Sequence, residues 1–382
     1  MRVVICPDKF AGTLSAVEAA HAIAEGWRSV APDDELIIRP VADGGPGFLE
    51  VLHASLPGSQ LVGVPTTDPL GRPVPGQVLR SGETAYIESA QACGLHLLAP
   101  DERDPKVTTS FGLGALVNAA HGAKKIVIGL GGSGTNDAGA GMLAGLGLTP
   151  VDAAGNPLPP GGAALRNSTG VAVMDTAKTA TPVELRPWGR GVELIGASDV
   201  DNPLTGPHGA SAVYGPQKGA TPSDVELLDA ALANWAAILE RDLPGCPSRL
   251  AEQKGAGAAG GLGAALLALG GKIISGIDLV LDETGFDLEN AGLVITGEGS
   301  FDHQSLRGKV IAGVAGAARD HGVPCAVLAG RVTTGRREQG AAGVTEAHSL
   351  VDHFGDVTRA MAEPARGLRE LSARLAGQYS RR

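Results

Sequence analysis

Short apolar runs that stop abruptly at proline, aspartate or glycine recur along this chain, separated by stretches with apolar residues at helical spacing. Val3–Cys6 halts at Pro7, the pattern of a strand buried on both faces. Ser15 and Glu18 then form an S-x-x-E capping box. Val17, Ala20, Ile23, Ala24, Trp27 and Val30 share one face of the helix that it opens. Leu36–Ile38 is a second strand, leading into Arg39-Pro40-Val41-Ala42-Asp43-Gly44-Gly45. Strand, helix and strand with short connections make a βαβ unit, which predicts a parallel sheet.

The texture changes from about 60 to 90. Val- and Thr-rich segments broken by Pro and Gly read there as antiparallel hairpins. Helical spacing returns over 112–120, followed by a strand at Lys125–Ile128. Residues 150–190 read as loops and short hairpins, and Glu193–Ala197 as a strand. A helix is predicted over 224–241, with the stripe Leu228, Ala231, Leu232, Trp235 and Leu239 and a capping box at Ser223 and Glu226. Further strands are predicted at 292–296 and 324–329, and helices at 306–320 and 357–375. The outer thirds carry the βαβ texture and the middle does not. This predicts a two-domain α/β fold. A discontinuous, Rossmann-like parallel α/β domain would span 1–60 and 290–382, and an α+β domain would be inserted over 61–289.

Composition narrows the function classes. The chain holds 57 glycines and 25 prolines among 382 residues, and its aromatic content is 3%. A core of Ala, Val, Leu and Ile threaded by many tight turns follows. With 43% hydrophobic and 19% charged residues the chain is not disordered. A net charge of −10 without a basic stripe argues against nucleic acid or an anionic membrane as partner. Cys6, Cys93, Cys246 and Cys325 are far apart in sequence and read as free thiols. The N-terminus reads as a strand and not as a signal peptide, and no apolar run approaches the length of a bilayer span. A cytoplasmic protein is the expectation.

The segment richest in chemistry is Gly129-Leu130-Gly131-Gly132-Ser133-Gly134-Thr135-Asn136-Asp137-Ala138-Gly139. Glycines let successive backbone N–H groups converge on an anion. Ser133, Thr135 and Asn136 add donors, and Asp137 is a candidate metal ligand. The bland reading is a strand-to-helix turn with its cap. The same segment holds G-x-G-x-x-G, with Asp152 placed for a ribose contact, which admits a nicotinamide-dependent oxidoreductase. A P-loop is absent: five residues before the glycines of Gly271-Lys272 and Gly308-Lys309 stand Leu266 and His303.

Other predicted strand ends carry acids: Asp8 beside Lys9, Asp43, and Asp199 with Asp201. Ligands of parallel sheets bind outside the carboxyl ends of strands, and Mg²⁺ takes few carboxylates together with substrate phosphates. Asp is also a common turn residue, so each acid alone is weak evidence. Gly297-Glu298-Gly299, Lys218 between glycines, and Lys309 are further candidates. Gly255–Gly263 reads as a turn allowing close backbone approach. The histidines show no zinc spacing, and no G-x-S-x-G elbow occurs.

PDKFAGTLSA, ADGGPG, GLGGSGTNDAGAGMLAGLG, DVDNPLTGPHGASAVYGPQKGA, GAGAAGGLGAAL and ITGEGSFDHQSLRGK, in this order from residue 7 to about 309, resemble the bacterial glycerate kinase type I family. Ala11 stands where many relatives carry Lys, with Lys9 two residues before it, and Pro46 where an acid is frequent. The resemblance implies transfer of the γ-phosphoryl group of ATP to D-glycerate, giving 2-phosphoglycerate, with 3-phosphoglycerate left open. It implies an active site in the interdomain cleft, Mg²⁺ as the metal, and leaves a homodimer open. On this reading Gly131, Gly132, Ser133, Gly134, Thr135, Asn136, Gly297 and Glu298 bind the nucleotide. Asp43, Asp137 and Asp201 are the metal candidates. Lys9, Lys218 and Lys309 neutralise charge, and Asp201, then Asp8, is the candidate base. A non-catalytic sugar-acid binding protein is the other alternative, though a binder of anions gains nothing from extra carboxylates.

Overall fold

The computed structural model describes residues 1–10, 12–173, 191–303, 305–306 and 310–380. The chain forms two compact units. One comprises Met1–Asp43, Glu50–Pro57 and Ile277–Arg382; the other comprises Gly44–Leu49 and Gly58–Gly276.

The first unit is built on a five-stranded, wholly parallel sheet. Its strands, in spatial order, are Glu346–Ser349, Cys325–Ala329, Leu293–Thr296, Arg2–Ile5 and Glu35–Ile38. Counted along the unit's own chain the order is 2-1-3-4-5, a doubly wound arrangement. The predicted capping box forms: Ser15 Oγ accepts from Glu18 N, and Glu18 returns a carboxylate to Ser15 N, opening the helix Ala16–Arg28. Val3, Ile5, Leu293, Ile295 and Leu328 share one core with Ile23, Trp27, Leu368, Leu371 and Leu375. The single helix predicted over 357–375 is two, Val357–Ala362 and Pro364–Tyr379. Pro364 has no N–H to continue the first and is suited to begin the second.

The second unit carries a six-stranded mixed sheet in the order Lys272–Ile274, Glu193–Ala197, Lys125–Gly129, Thr84–Glu88, Pro73–Ser81, Gln60–Thr67. The first four strands are parallel, and the last two run antiparallel as a hairpin edge. The Pro222–Asp242 helix buries the whole predicted stripe of Leu228, Ala231, Leu232, Trp235 and Leu239. Most of these residues join Ile126, Ile128, Leu113 and Leu262 in one core. Its cap differs from expectation. Thr221 and Asp224 form the box, because Pro222 occupies the first helical position and moves the start back. In the 150–190 stretch, Leu148–Val151 pairs antiparallel with Gly170–Val173. Residues 174–190 lie outside the described ones. Among the described residues, no helix is long and apolar enough to cross a membrane.

Gly26 lies where the Ala16–Arg28 helix presses on the Pro364–Tyr379 helix, and a Cβ there would overlap the backbone of Arg369. Gly316, inside the helix Val310–Asp320, faces open space: a Cβ on it would meet nothing within 4 Å. Gly26→Ala is therefore expected to cost about 1–3 kcal/mol by overpacking, whereas Gly316→Ala should be neutral or stabilise by up to ~1 kcal/mol. Thermal melts of both variants check the pair; equal effects would refute this account of the helix contact.

Candidate active site

In the first unit, the chain winds in opposite directions from the neighbouring strands Arg2–Ile5 and Leu293–Thr296. Such a switch point is where open α/β sheets bind ligands. The residues just past these strand ends are Asp8, Lys9, Gly297 and Glu298. Pro7 O accepts from Val41 N at 3.0 Å, and Asp8 N donates to Gly297 O at 2.8 Å. Asp8 is thus wedged between the continuations of both neighbouring strands and is only 6% exposed. Lys9 N donates to Asp8 Oδ1 at 2.7 Å. The Lys9 ammonium lies 3.6 Å from Asp8 Oδ1 and 3.7 Å from Asp43 Oδ1. Burial lifts the Asp8 carboxyl to about 6; Lys9 pulls it down, and Asp43 pushes it further up. A Cβ at Gly297 would overlap Leu328 O, so this corner admits only glycine. Gly297 and Glu298, expected beside the nucleotide, stand here with Asp8.

In the second unit, the glycine-rich turn follows the Lys125–Gly129 strand, but the next helix, Ala140–Gly145, starts only after residues 130–139 and is six residues long. That is not the tight strand-to-helix turn of a dinucleotide fold. Asp152 does not serve a ribose either: its carboxylate caps its own turn, accepting from Ala154 N and Asn156 N, both at 2.9 Å. The carbonyls of the turn are spent inward. Gly132 O accepts from Leu95 N at 2.8 Å. Gly134 O accepts from Thr108 Oγ1 at 3.0 Å. Thr135 O accepts from Lys218 Nζ at 2.7 Å. Among the described residues, no hydrogen bond engages the N–H groups of Gly131, Gly132 and Ser133. Thr135 Oγ1 and Asn136 Oδ1 are buried without a hydrogen-bond partner.

Asp137 has a different place from the one its sequence context offers. Its Oδ2 accepts from Ser110 N at 2.8 Å, Ser110 Oγ at 2.9 Å and Gly141 N at 3.1 Å, and its Oδ1 from Gly139 N at 3.2 Å. The anion at the start of the short helix is the chain's own carboxylate. Burial pushes it above the ordinary carboxylate range, and these bonds pull it back. Lys218, a candidate to neutralise charge on the substrates, is buried, and donates to Ser133 Oγ at 2.9 Å as well as to Thr135 O. Asp201 is exposed and lies 3.4 Å from Lys254 Nζ. Lys309 and Ala11 lie outside the described residues. The 255–263 stretch approaches this turn closely: Gly260 has a φ of +71°, and a Cβ on it would overlap Thr135 O.

Two residues not singled out from the sequence complete the second unit's set. Glu88, at the end of the Thr84–Glu88 strand, accepts from Gly47 N at 3.0 Å and Leu49 N at 3.3 Å, fixing the ADGGPG segment. Its signal was an acid at a strand end, as for Asp8 and Asp43. Ser110 had none, since its partner Asp137 is 27 residues away.

A family profile described as the glycerate kinase family matches residues 3–380. The chain belongs to the glycerate kinase family. A glycerate kinase of Bacillus subtilis (strain 168) is 43% identical over 340 residues, 87% of this chain and 86% of that one. A glycerate 2-kinase of Escherichia coli (strain K12) is 41% identical with the same coverage. A crystal structure of a Salmonella typhimurium LT2 protein assigned as glycerate kinase 2 superposes with a TM-score of 0.80 at 38% identity, covering 100% of this chain and 98% of that one. These findings bear out the resemblance read from the motifs.

The raised Asp8 carboxyl has a consequence for stability. An acid whose pKa is about 6 when folded and 3.8 otherwise binds its proton more tightly in the folded state. Stability is therefore lost as pH rises from about 4 to 6, by on the order of 2–3 kcal/mol. Asp8→Asn escapes this loss. Relative to the wild type, its melting temperature should rise between pH 4 and pH 8; a constant difference would contradict the assignment.

Proposed function

We propose that this protein transfers the γ-phosphoryl group of ATP to the 2-hydroxyl of D-glycerate, giving 2-phosphoglycerate and ADP. Membership of the family supports the reaction class, and the observation that carries the mechanism is Asp8. It is a buried carboxylate at the switch point, with a pKa raised to about 6 and a lysine at its side. A base with a pKa near the working pH is the effective kind.

Asp8 accepts the hydroxyl proton as the hydroxyl oxygen bonds to the γ-phosphorus and the bond from that phosphorus to the ADP oxygen breaks. Lys9 faces the substrate carboxylate or the developing charge. Asp201 is exposed and lies beside Lys254, whereas Asp8 is buried at the switch point, so Asp8 takes the role first offered to Asp201. In the second unit, the unengaged N–H groups of Gly131, Gly132 and Ser133 hold nucleotide phosphates, whereas Asn136 is left out of the set the sequence offered, being fully buried with its amide donating to Ser211 Oγ at 2.8 Å. Phosphoryl transfer depends chiefly on such positioning and on charge neutralisation.

Mg²⁺ fits part of the expected acid set. It takes one or two carboxylates beside phosphate oxygens. Asp43 offers a half-buried oxygen, and its charge already raises Asp8, a repulsion that a cation relieves. Asp137 is spent on protein donors and is left out; Asp201 is the second candidate. When bound, the metal neutralises phosphate charge. A cytoplasmic location belongs to this same proposal.

A coupled ADP-release assay with ATP, Mg²⁺ and D-glycerate, with the product read by phosphorus NMR, tests the reaction. Asp8→Asn should lower kcat by about 10²–10⁴-fold and remove the acid limb near pH 6. Asp201→Asn should keep that limb. A limb that survives in Asp8→Asn and disappears in Asp201→Asn would return the base to Asp201.

A further inference from the structure

Resting on the reading that the glycine-rich turn holds nucleotide phosphates, we propose that Lys218 is a positioning residue, which sets the turn's polarity without touching the nucleotide. Its ammonium reaches across 85 residues of sequence to Ser133 Oγ and 83 to Thr135 O. A buried ammonium is tolerated only when acceptors replace its water. Here the acceptors are the turn itself. Together with Leu95 N on Gly132 O and Thr108 Oγ1 on Gly134 O, Lys218 draws three of the turn's carbonyls into the protein. The neighbouring N–H groups of Gly131, Gly132 and Ser133 are what remains for an anion. A turn whose carbonyls were free to flip would present negative dipoles to a phosphate instead.

The surroundings hold Lys218 in this task. It closes the 3-10 turn Pro216–Lys218, and Gly219 follows with a φ of +97°, packed where a Cβ would overlap Arg103 O. Gly260 presses against the same Thr135 carbonyl. Asp137 and Cys93 act on the ammonium through space and offset part of its burial cost, which lowers it to about 8. Asp137 in turn is anchored by Ser110, whose Oγ accepts from Met142 N at 2.9 Å. The carboxylate thus ties Thr109 and Ser110 to the helix that ends the turn.

The test is a double-mutant cycle of Lys218→Met and Ser133→Ala, with kinetics and calorimetric titration of Mg-ATP. A positioning role predicts that K218M raises the KM and Kd for ATP about tenfold, the loss of a charged hydrogen bond, and leaves kcat at saturation within about twofold. S133A should weaken ATP in the same sense, and the double variant should be no worse than K218M, because both cut one tether. Additive losses, or a fall in kcat at unchanged KM, would show that Lys218 contacts the transferring phosphoryl group and would overturn the proposal. Unchanged ATP affinity in K218M would overturn it too. If K218M does not fold, S133A and Ser133→Thr decide: the threonine, which keeps the hydroxyl, must restore affinity that the alanine loses, and unaltered affinity in S133A refutes the tether. If the wild type leaves D-glycerate unphosphorylated, the proposed function fails, while the Mg-ATP titrations still read the turn.

Discussion

A charge removed from water must be met by protein donors or acceptors, and the chemistry-bearing ends of both sheets are organised around that requirement. Asp137 is met by Ser110, Gly139 and Gly141, Lys218 by Ser133 and Thr135, and Asp8 by Lys9. All three still carry the mark of burial, which raises Asp137 and Asp8 and lowers Lys218. Asp8 differs in having a second carboxylate, Asp43, that pushes it further up.

Glycine makes this possible at close quarters. Gly260 against Thr135 O, Gly297 against Leu328 O and Gly44 against Ala197 O are all places where a Cβ would overlap backbone. Each lies in a segment that bears a candidate residue or packs on one. The high glycine content of the chain is in this sense a property of its sites as much as of its loops.

The doubly wound sheet of the first unit was legible because a strand buried on both faces leaves a plain signal: Val3–Cys6 and Leu293–Thr296 are nearly unbroken apolar runs. The Ser15 and Glu18 cap was legible because capping is decided within four residues. The cap of the Pro222–Asp242 helix was misplaced by two residues, because Thr221 and Ser223 both satisfy the pattern and only Pro222 settles the choice. The G-x-G-x-x-G match was uninformative: the spacing of glycines says nothing about how far off the next helix begins.

What the sequence alone determined were the locally decided properties: which segments are strands or helices, which turns are glycine-rich, and where acids follow strands. Asp8, Asp43 and the 131–137 turn are candidates of this kind. Only the tertiary structure decided what each charged side chain does. It spent Asp137 on Ser110, buried Lys218 under the turn, left Asp201 in solvent, and brought in Glu88. The reason is physical. Basicity and hydrogen-bond capacity depend on burial and on partners far away in sequence, and no local pattern records either.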